Sequence, residues 1–336
     1  MSDTTATKPD WMKTLETEGY VVVPNVIPEE ACKQFQEEAL AWLEKFPHGF
    51  KRNDRSTWNG WNLPFAAKGG LYNRYAVNHE QFVWAIRTQP GIRRLFEQLW
   101  STDDLISSFD GMNCSFPINE KYGRTDLKIT AAWPHIDQDP REVDHFELYQ
   151  GIAQLGPSGP DDGGLCVLSK SHLLHEEYFR ETGGWKEDQD AGVGNNNYRF
   201  FKQGKEGDGE LDWYKARGCK SIKVEANAGD FILWDSRTIH WNASPVGKET
   251  RFSAYVCMCP RTLMSEAELA KKIQLYKDRK GTTHWPCKNV VPVERLAYHD
   301  AFPRRPDDSV DPANRDRPFV EPTETPELLK LVGIRA

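Results

Sequence analysis

The stretch GDFILWDSRTIHWN, residues 229 to 242, indicates the fold class of this chain. A Gly-Asp turn precedes the apolar run 231–234, and a histidine, His240, follows at its far end. Four apolar residues bounded by turn residues are typical of a buried β-strand. Similar short runs recur between residues 105 and 260: LISSFDGMNCSF, LKITAAW, FELYQGIAQL, GGLCVLS, KSIKVEA and RFSAYVCMC. Because no βαβ-type helices separate them, they predict an antiparallel sandwich or barrel.

Helical patterns flank these strands. Residues 1–104 are predicted to be helix-rich: residues 27–47 show apolar positions at helical spacing, and a second helical region, residues 79–100, is broken at Pro90 and Gly91. A short β-branched run, GYVVVPNV, precedes the first helix. In the C-terminal part, residues 261–336, a helix begins after Ser265 and closes at Gly281. The proline-rich end of the chain predicts an extended tail on the surface.

The segment 177–220 interrupts the β-rich core. It is rich in Gly, Asn and charged residues, and it also contains six aromatic residues: Trp185, Tyr198, Phe200, Phe201, Trp213 and Tyr214. A long insertion in a compact domain is usually disordered or functional. The sequence leaves two interpretations open, a lid over a site and a surface decoration.

Composition excludes several classes of partner. The chain has 336 residues, and its 43 basic and 50 acidic side chains give a net charge of −7 with no dense basic run, which argues against a nucleic-acid or anionic-membrane surface. The N-terminus lacks a signal-peptide pattern and no apolar run is long enough to span a membrane, so we expect a cytoplasmic protein. Its seven cysteines are scattered without a CxxC pair, which indicates neither a disulfide framework nor a zinc site. We expect a small-molecule substrate and allow for a homodimer.

Three residues form a candidate metal site. In AAWPHIDQDP, residues 131–140, His135 and Asp137 are two positions apart and would share one face of a strand. Such a pair is weak by itself, but His240 supplies a second imidazole downstream. Two histidines and one carboxylate form the facial triad of non-haem iron(II) oxygenases, which leaves three metal positions open. The alternative is that each histidine is merely a surface or core residue.

A candidate anion clamp follows the second histidine. Arg251 and Ser253 are two residues apart on a predicted strand. The planar guanidinium of arginine makes two charge-assisted hydrogen bonds to a carboxylate, which suits the far end of 2-oxoglutarate. Trp133, Trp234 and Trp241 flank the candidate ligands, and for each of them core packing is favoured over substrate stacking.

The chain resembles the phytanoyl-CoA dioxygenase family of iron(II)- and 2-oxoglutarate-dependent oxygenases, most of all fungal members that modify small metabolites. The similar segments cover roughly residues 15–290: WPHIDQDP, GPDDGGLCVLSKSH, GDFILWDSRTIHWN and RFSAYVC, with looser likeness in GLYNRYAVNHEQFVW and GTTHWP. The resemblance implies a double-stranded β-helix, that is a jelly roll, with flanking helices in a single catalytic domain. It also implies iron on His135, Asp137 and His240, and 2-oxoglutarate on Arg251 and Ser253. Gln150 is our candidate for the other end of 2-oxoglutarate.

The resemblance predicts an enzyme that uses iron(II), 2-oxoglutarate and dioxygen to oxidise an unactivated C–H bond of a small organic metabolite, releasing succinate and carbon dioxide. Because Asp137 fills the carboxylate position, hydroxylation or desaturation is favoured over halogenation. The same fold also carries cupin-like metal-dependent isomerases and small-molecule binding proteins without oxygenase activity, since fold does not fix function. Arg251 distinguishes an oxygenase from a cupin-like isomerase, because an isomerase has no need of a carboxylate clamp there.

Overall fold

Hydrophobic strands from the middle of the chain pair with two strands from its front third in a six-stranded antiparallel sheet. The computed structural model describes residues 8–183, 198–204, 209–288, 290–295 and 302–335. The strands of this sheet lie in the order β1 (Tyr20–Val23), β10 (Phe231–Asp235), β6 (Tyr149–Gln154), β12 (Arg251–Tyr255), β4 (Met112–Ser115) and β2 (Leu71–Tyr72). The β-branched run near the N-terminus is therefore an edge strand of the β-rich core.

A five-stranded antiparallel sheet lies opposite. Its order is β8 (Arg199–Phe200), β5 (His135–Ile136), β11 (His240–Pro245), β7 (Asp162–Leu168) and β9 (Ser221–Lys223), and a separate pair joins β13 (Met258–Pro260) to β3 (Leu105–Ser107). Ile152 and Ile232 of the first sheet pack in one buried cluster with Leu165 and Val167 of the second. The inner faces of two antiparallel sheets thus form the core of a jelly roll with flanking helices, as the sequence predicts.

Eight α-helices are found in the described residues. They are α1 (Asp10–Glu18), α2 (Glu29–Glu44), α3 (Gln81–Arg87), α4 (Pro90–Trp100), α5 (His175–Glu181), α6 (Glu210–Lys215), α7 (Glu266–Lys277) and α8 (Pro326–Val332). The larger core cluster joins the six-stranded sheet to α2, α3, α4 and α7; Phe96 of α4, for example, meets Phe231 of β10 edge-on with ring centroids 5.9 Å apart. Among the described helices, none combines the length and the apolar character needed to cross a bilayer.

Helix boundaries follow the predicted signals with two differences. The break in the second helical region falls before Pro90, which is the first residue of α4. At that position the missing N–H of proline has no intrahelical partner to lose. The hydroxyl of Ser265 accepts a hydrogen bond from the Glu268 amide and starts α7, as expected. This helix ends at Lys277, four residues before the predicted Gly281.

The structure differs from the sequence-based predictions in three segments outside the core strands. The run LKITAAW, residues 127–133, forms no strand and instead borders a cavity. The insertion 177–220 contains the end of α5 together with β8 and α6, while its residues 184–197 and 205–208, including Trp185, lie outside the described residues. The extended C-terminal tail is wrong in its last part, because α8 buries Leu328, Leu331 and Val332 in the larger core cluster.

Candidate metal centre

The two candidate histidines are brought together by strand pairing. His135 on β5 and His240 on β11 are direct partners in the five-stranded sheet, and their ring centroids lie 4.2 Å apart. His240 does not end β10, as the sequence suggested; a turn separates the two, and His240 begins β11 in the opposite sheet. Residues paired across a ladder point to the same face. Both imidazoles therefore face the space between the sheets.

Asp137 completes the group just beyond the end of β5. Its Oδ1 lies 3.6 Å from His135 Nε2, and its Oδ2 lies 3.2 Å from His240 Nε2. Its backbone amide donates to the Ser236 carbonyl over 3.1 Å, which fixes the chain after the strand. One ligand atom from each of the three residues lies within 4.8 Å of the other two. The three side chains can hold one metal ion between them.

The imidazoles are oriented for metal binding by their own backbone. His135 Nδ1 donates to the Trp133 carbonyl over 3.0 Å, and His240 Nδ1 donates to the Thr238 carbonyl over 2.9 Å. Because carbonyl oxygen only accepts, both Nδ1 atoms carry the proton and both Nε2 lone pairs face the carboxylate. Burial lowers the pKa of His135 to about 3, with His240 adding to the shift, so this ring is a neutral ligand.

Two further side chains surround the Asp137 carboxylate. Gln150 Nε2 donates to Oδ2 over 3.0 Å, and His284 Nε2 lies 3.9 Å from the same oxygen. Burial opposes ionisation of Asp137, but the neighbouring His284 holds its pKa well below its usual range. The carboxylate is therefore the charged form that a metal ion requires.

A cavity of about 750 Å³ opens above this group between the two sheets. It is bordered by residues of both sheets and by loops, among them Lys68, Asn73, Asp110, Asn113, Leu127, Lys128, Trp133, Gln150, Gly164, Tyr198, Phe200, Trp234, Asn242, Arg251, Tyr255, Thr283 and His284. Pockets of this size hold small organic ligands. Tyr198 and Phe200 of the insertion lie on its wall, whereas Phe201 and Tyr214 are buried in a separate cluster. Part of the insertion therefore borders the cavity, and another part packs in a hydrophobic cluster away from it.

The candidate anion clamp lies in the same cavity, on the six-stranded sheet. Arg251 is only 4% exposed, its Nε makes no hydrogen bond within the described structure, and neither does the Oγ of Ser253, which is 1% exposed. Gly164, on the opposite sheet, lies directly against the guanidinium: a Cβ built there would be 3.0 Å from Arg251 Nε. A buried donor without a partner is expensive. The clamp is therefore built to receive an acceptor.

The structure brings every predicted site residue except Ser253 to the cavity wall. Ser253, two residues from Arg251 on β12, is not among the residues that border the cavity. Of the three flanking tryptophans, Trp133 and Trp234 border the cavity, whereas Trp241 packs against the separate cluster that holds Phe201. The sequence analysis did not single out Lys68, Asp110, Gly164 or His284. His284 lies in GTTHWP and Gly164 in GPDDGGLCVLSKSH, two segments that resemble the family, whereas Lys68 and Asp110 lie in no such segment.

Comparison with known proteins agrees with this geometry. Residues 15–247 match the family model of phytanoyl-CoA dioxygenase. The chain belongs to the phytanoyl-CoA dioxygenase family. Membership in this family makes the protein an iron(II)- and 2-oxoglutarate-dependent dioxygenase, with dioxygen as the second cosubstrate.

Relatives support membership in the family. The chain is 34% identical over 285 residues to Ava biosynthesis cluster protein O of Aspergillus versicolor, a match that covers 84% of this chain and 88% of that protein. It is 28% identical to a putative phytanoyl-CoA dioxygenase of Dictyostelium discoideum, covering 74% and 75% of the two chains. A crystal structure of the epimerase SnoN in complex with Fe3+, alpha ketoglutarate and nogalamycin RO is 18% identical, covering 75% of this chain and 83% of that chain with a TM-score of 0.49.

Proposed function

We propose that this chain oxidises an unactivated C–H bond of a small organic metabolite, with iron(II) held by His135, Asp137 and His240. The observation that carries the proposal is the convergence of two imidazole Nε2 atoms and one carboxylate on the wall of a cavity. Residues from all three parts of the chain contribute to the larger core cluster, which supports one catalytic domain over the whole sequence.

The side chains fit both groups that the family requires. Two imidazoles and a carboxylate on one face suit ferrous iron and leave the opposite face open. The distal carboxylate of 2-oxoglutarate finds in Arg251 a buried guanidinium whose Nε has no protein partner. Gly164 keeps the space beside that guanidinium clear. Ser253, on the same strand, offers a second unpartnered group close to Arg251.

When bound by these residues, iron(II) and 2-oxoglutarate would supply an oxidant from dioxygen, with succinate and carbon dioxide as the coproducts. The protein's own residues do the positioning. The Trp133 and Thr238 carbonyls each accept a hydrogen bond from Nδ1 of a ligating histidine and so turn its Nε2 toward the metal position, and the Gln150 amide orients Asp137. Gln150 also borders the cavity, which keeps it our candidate for contacting the near end of 2-oxoglutarate. Aromatic walls limit water around the reacting carbon.

Asp137 favours hydroxylation or desaturation over halogenation, because the carboxylate occupies the metal position that a halide needs. Arg251 favours the oxygenase over a cupin-like isomerase or a binding protein without oxygenase activity, since neither needs a buried cation there.

The test is substrate-dependent succinate formation by the iron-loaded protein, screened over candidate metabolites. His240→Ala should remove 2-oxoglutarate consumption, while His145→Ala, which alters an exposed side chain that does not border the cavity, should retain it. Anaerobic addition of iron(II) and 2-oxoglutarate should give a weak visible charge-transfer band in the parent protein. Absence of the band, or parental turnover by the His240 variant, would overturn the proposal.

A further inference from the structure

We propose that the cavity contains a second anion site, built on Lys68, which binds an aromatic substrate through a carboxylate or another anionic oxygen of that substrate. The proposal rests on the proposed function, because it assumes that Arg251 is occupied by 2-oxoglutarate. It adds the chemical class of the substrate.

Lys68 is a cation without an acidic partner in the described part of the chain. Its Nζ lies over the ring of Trp133, 3.2 Å from the centroid, and its side chain borders the cavity. The backbone at Lys68 is left-handed, with φ of 50°, at the tight loop before β2. Although Lys68 keeps solvent contact at the cavity edge, desolvation by the surrounding side chains lowers its pKa to about 8, and the charge of Asp137 opposes that shift. The ammonium therefore stays mostly charged at neutral pH.

The charges of the cavity leave this cation uncompensated. The bordering residues include three cations, Lys68, Lys128 and Arg251, and two carboxylates, Asp110 and Asp137. In the loaded site the net charge of four groups is zero: the ferrous ion, Asp137, dianionic 2-oxoglutarate and Arg251. Lys68 and Lys128 then face at most the single charge of Asp110, whose pKa burial raises. Lys68 and Lys128 are both exposed to solvent, and the positive charge that remains attracts an anionic substrate to this side of the cavity.

Aromatic surface lies beside this charge and next to the metal ligands. The Trp133 ring stacks on His135 with centroids 4.2 Å apart and an interplanar angle of 18°. Phe200 is 54% exposed, although it is apolar, and its ring lies 6.0 Å from that of His135. Exposed aromatic surface inside a cavity is typical of ligand contact. A flat substrate held here by Lys68 lies close to the metal.

The site is separate from the 2-oxoglutarate clamp. Lys68 is in the loop before β2, whereas Arg251 is on β12 and faces Gly164 of the opposite sheet. Lys68 instead acts electrostatically on His135 and Asp137. The two cations can therefore hold two different anions around one metal site.

The experiment is calorimetric titration of the anaerobic iron(II)-loaded protein, saturated with 2-oxoglutarate, with 1-naphthoate, 1-naphthamide or acetate. Saturation blocks Arg251, so a carboxylate probe reports on the second site. We expect 1-naphthoate to bind about 10-fold or more tightly than 1-naphthamide, the gain typical of one charge-assisted hydrogen bond. Lys68→Met should remove this preference, and Lys68→Arg should retain it. Lys33→Met, on the exposed face of α2, is the matched control.

Each remaining outcome decides between the two proposals. Failure of the parent protein to bind 2-oxoglutarate overturns the proposed function. Three outcomes overturn the Lys68 site alone, provided that 2-oxoglutarate binds normally. They are equal affinity for 1-naphthoate and 1-naphthamide, no binding of 1-naphthoate, and an unchanged preference for 1-naphthoate in Lys68→Met. Acetate binding as tightly as 1-naphthoate overturns the aromatic part. Loss of 2-oxoglutarate affinity in Lys68→Met assigns the lysine to the cosubstrate and also overturns the second site.

Discussion

Substitution of Gly164 by alanine tests how the cavity receives 2-oxoglutarate. The backbone at Gly164 has φ of +98°, and a Cβ there would lie 3.0 Å from Arg251 Nε and 3.6 Å from its Cδ and Cζ. Contact at 3.0 Å forces the guanidinium to move by a few tenths of an ångström. Because Arg251 is buried against this position, the displacement disturbs the geometry of its hydrogen bonds to a carboxylate.

The size of the effect follows from the bonds at risk. A hydrogen bond to a charged group contributes about 1.5–3 kcal/mol. Loss of one such bond from the Arg251–carboxylate pair raises the dissociation constant of 2-oxoglutarate about 10- to 100-fold, since each 1.4 kcal/mol is a factor of ten. The positive φ adds a separate cost of about 1–3 kcal/mol in stability for any residue with a Cβ.

A matched glycine separates these two effects. Gly218 has φ of +92°, and a Cβ there meets nothing within 4 Å. Gly218→Ala should therefore lower the free energy of unfolding without changing 2-oxoglutarate affinity, and Gly164→Ala should change both. Affinity is measured by anaerobic titration calorimetry and stability by urea denaturation. If folded Gly164→Ala binds 2-oxoglutarate as tightly as the parent protein, Arg251 is not the clamp.

Three further predictions follow from the structure. His240→Ala should lose iron affinity by at least 10-fold in equilibrium dialysis, because it removes one of three ligands, and His145→Ala should not; equal affinities would reject the ligand set. Leu331→Ala should lower the free energy of unfolding by about 2–5 kcal/mol in urea, because its side chain is buried in the larger core cluster; a change below about 0.5 kcal/mol would show that α8 does not stabilise the fold. Burial lowers the pKa of His175 to about 4 from 6.5, so below pH 6.5 the unfolded chain gains a proton that the folded chain does not. Stability should therefore fall by about 3 kcal/mol between pH 6.5 and 4, and His175→Asn should flatten this dependence; an unchanged slope would assign the loss to other groups.

Local patterns in the sequence predicted most of the strands and the candidate ligand residues. Apolar runs bounded by turn residues predicted β4, β6, β7, β10 and β12, because burial on a pleated strand selects those residue types over a few positions. The run LKITAAW has the same composition but lies at the cavity wall without a strand. Whether such a run forms a strand depends on pairing partners that are distant in the sequence.

The sequence by itself determined which residues are candidates for metal and anion binding, since the two histidines, the aspartate and the arginine are recognised by their chemical type alone. Only the tertiary structure decided that His135 and His240 are paired across one sheet, that Gly164 lies against Arg251, and that Lys68 and His284 border the same cavity. These contacts join residues separated by tens to hundreds of positions. They are set by strand pairing and sheet packing, and no local pattern of residues encodes which distant side chain will be the neighbour.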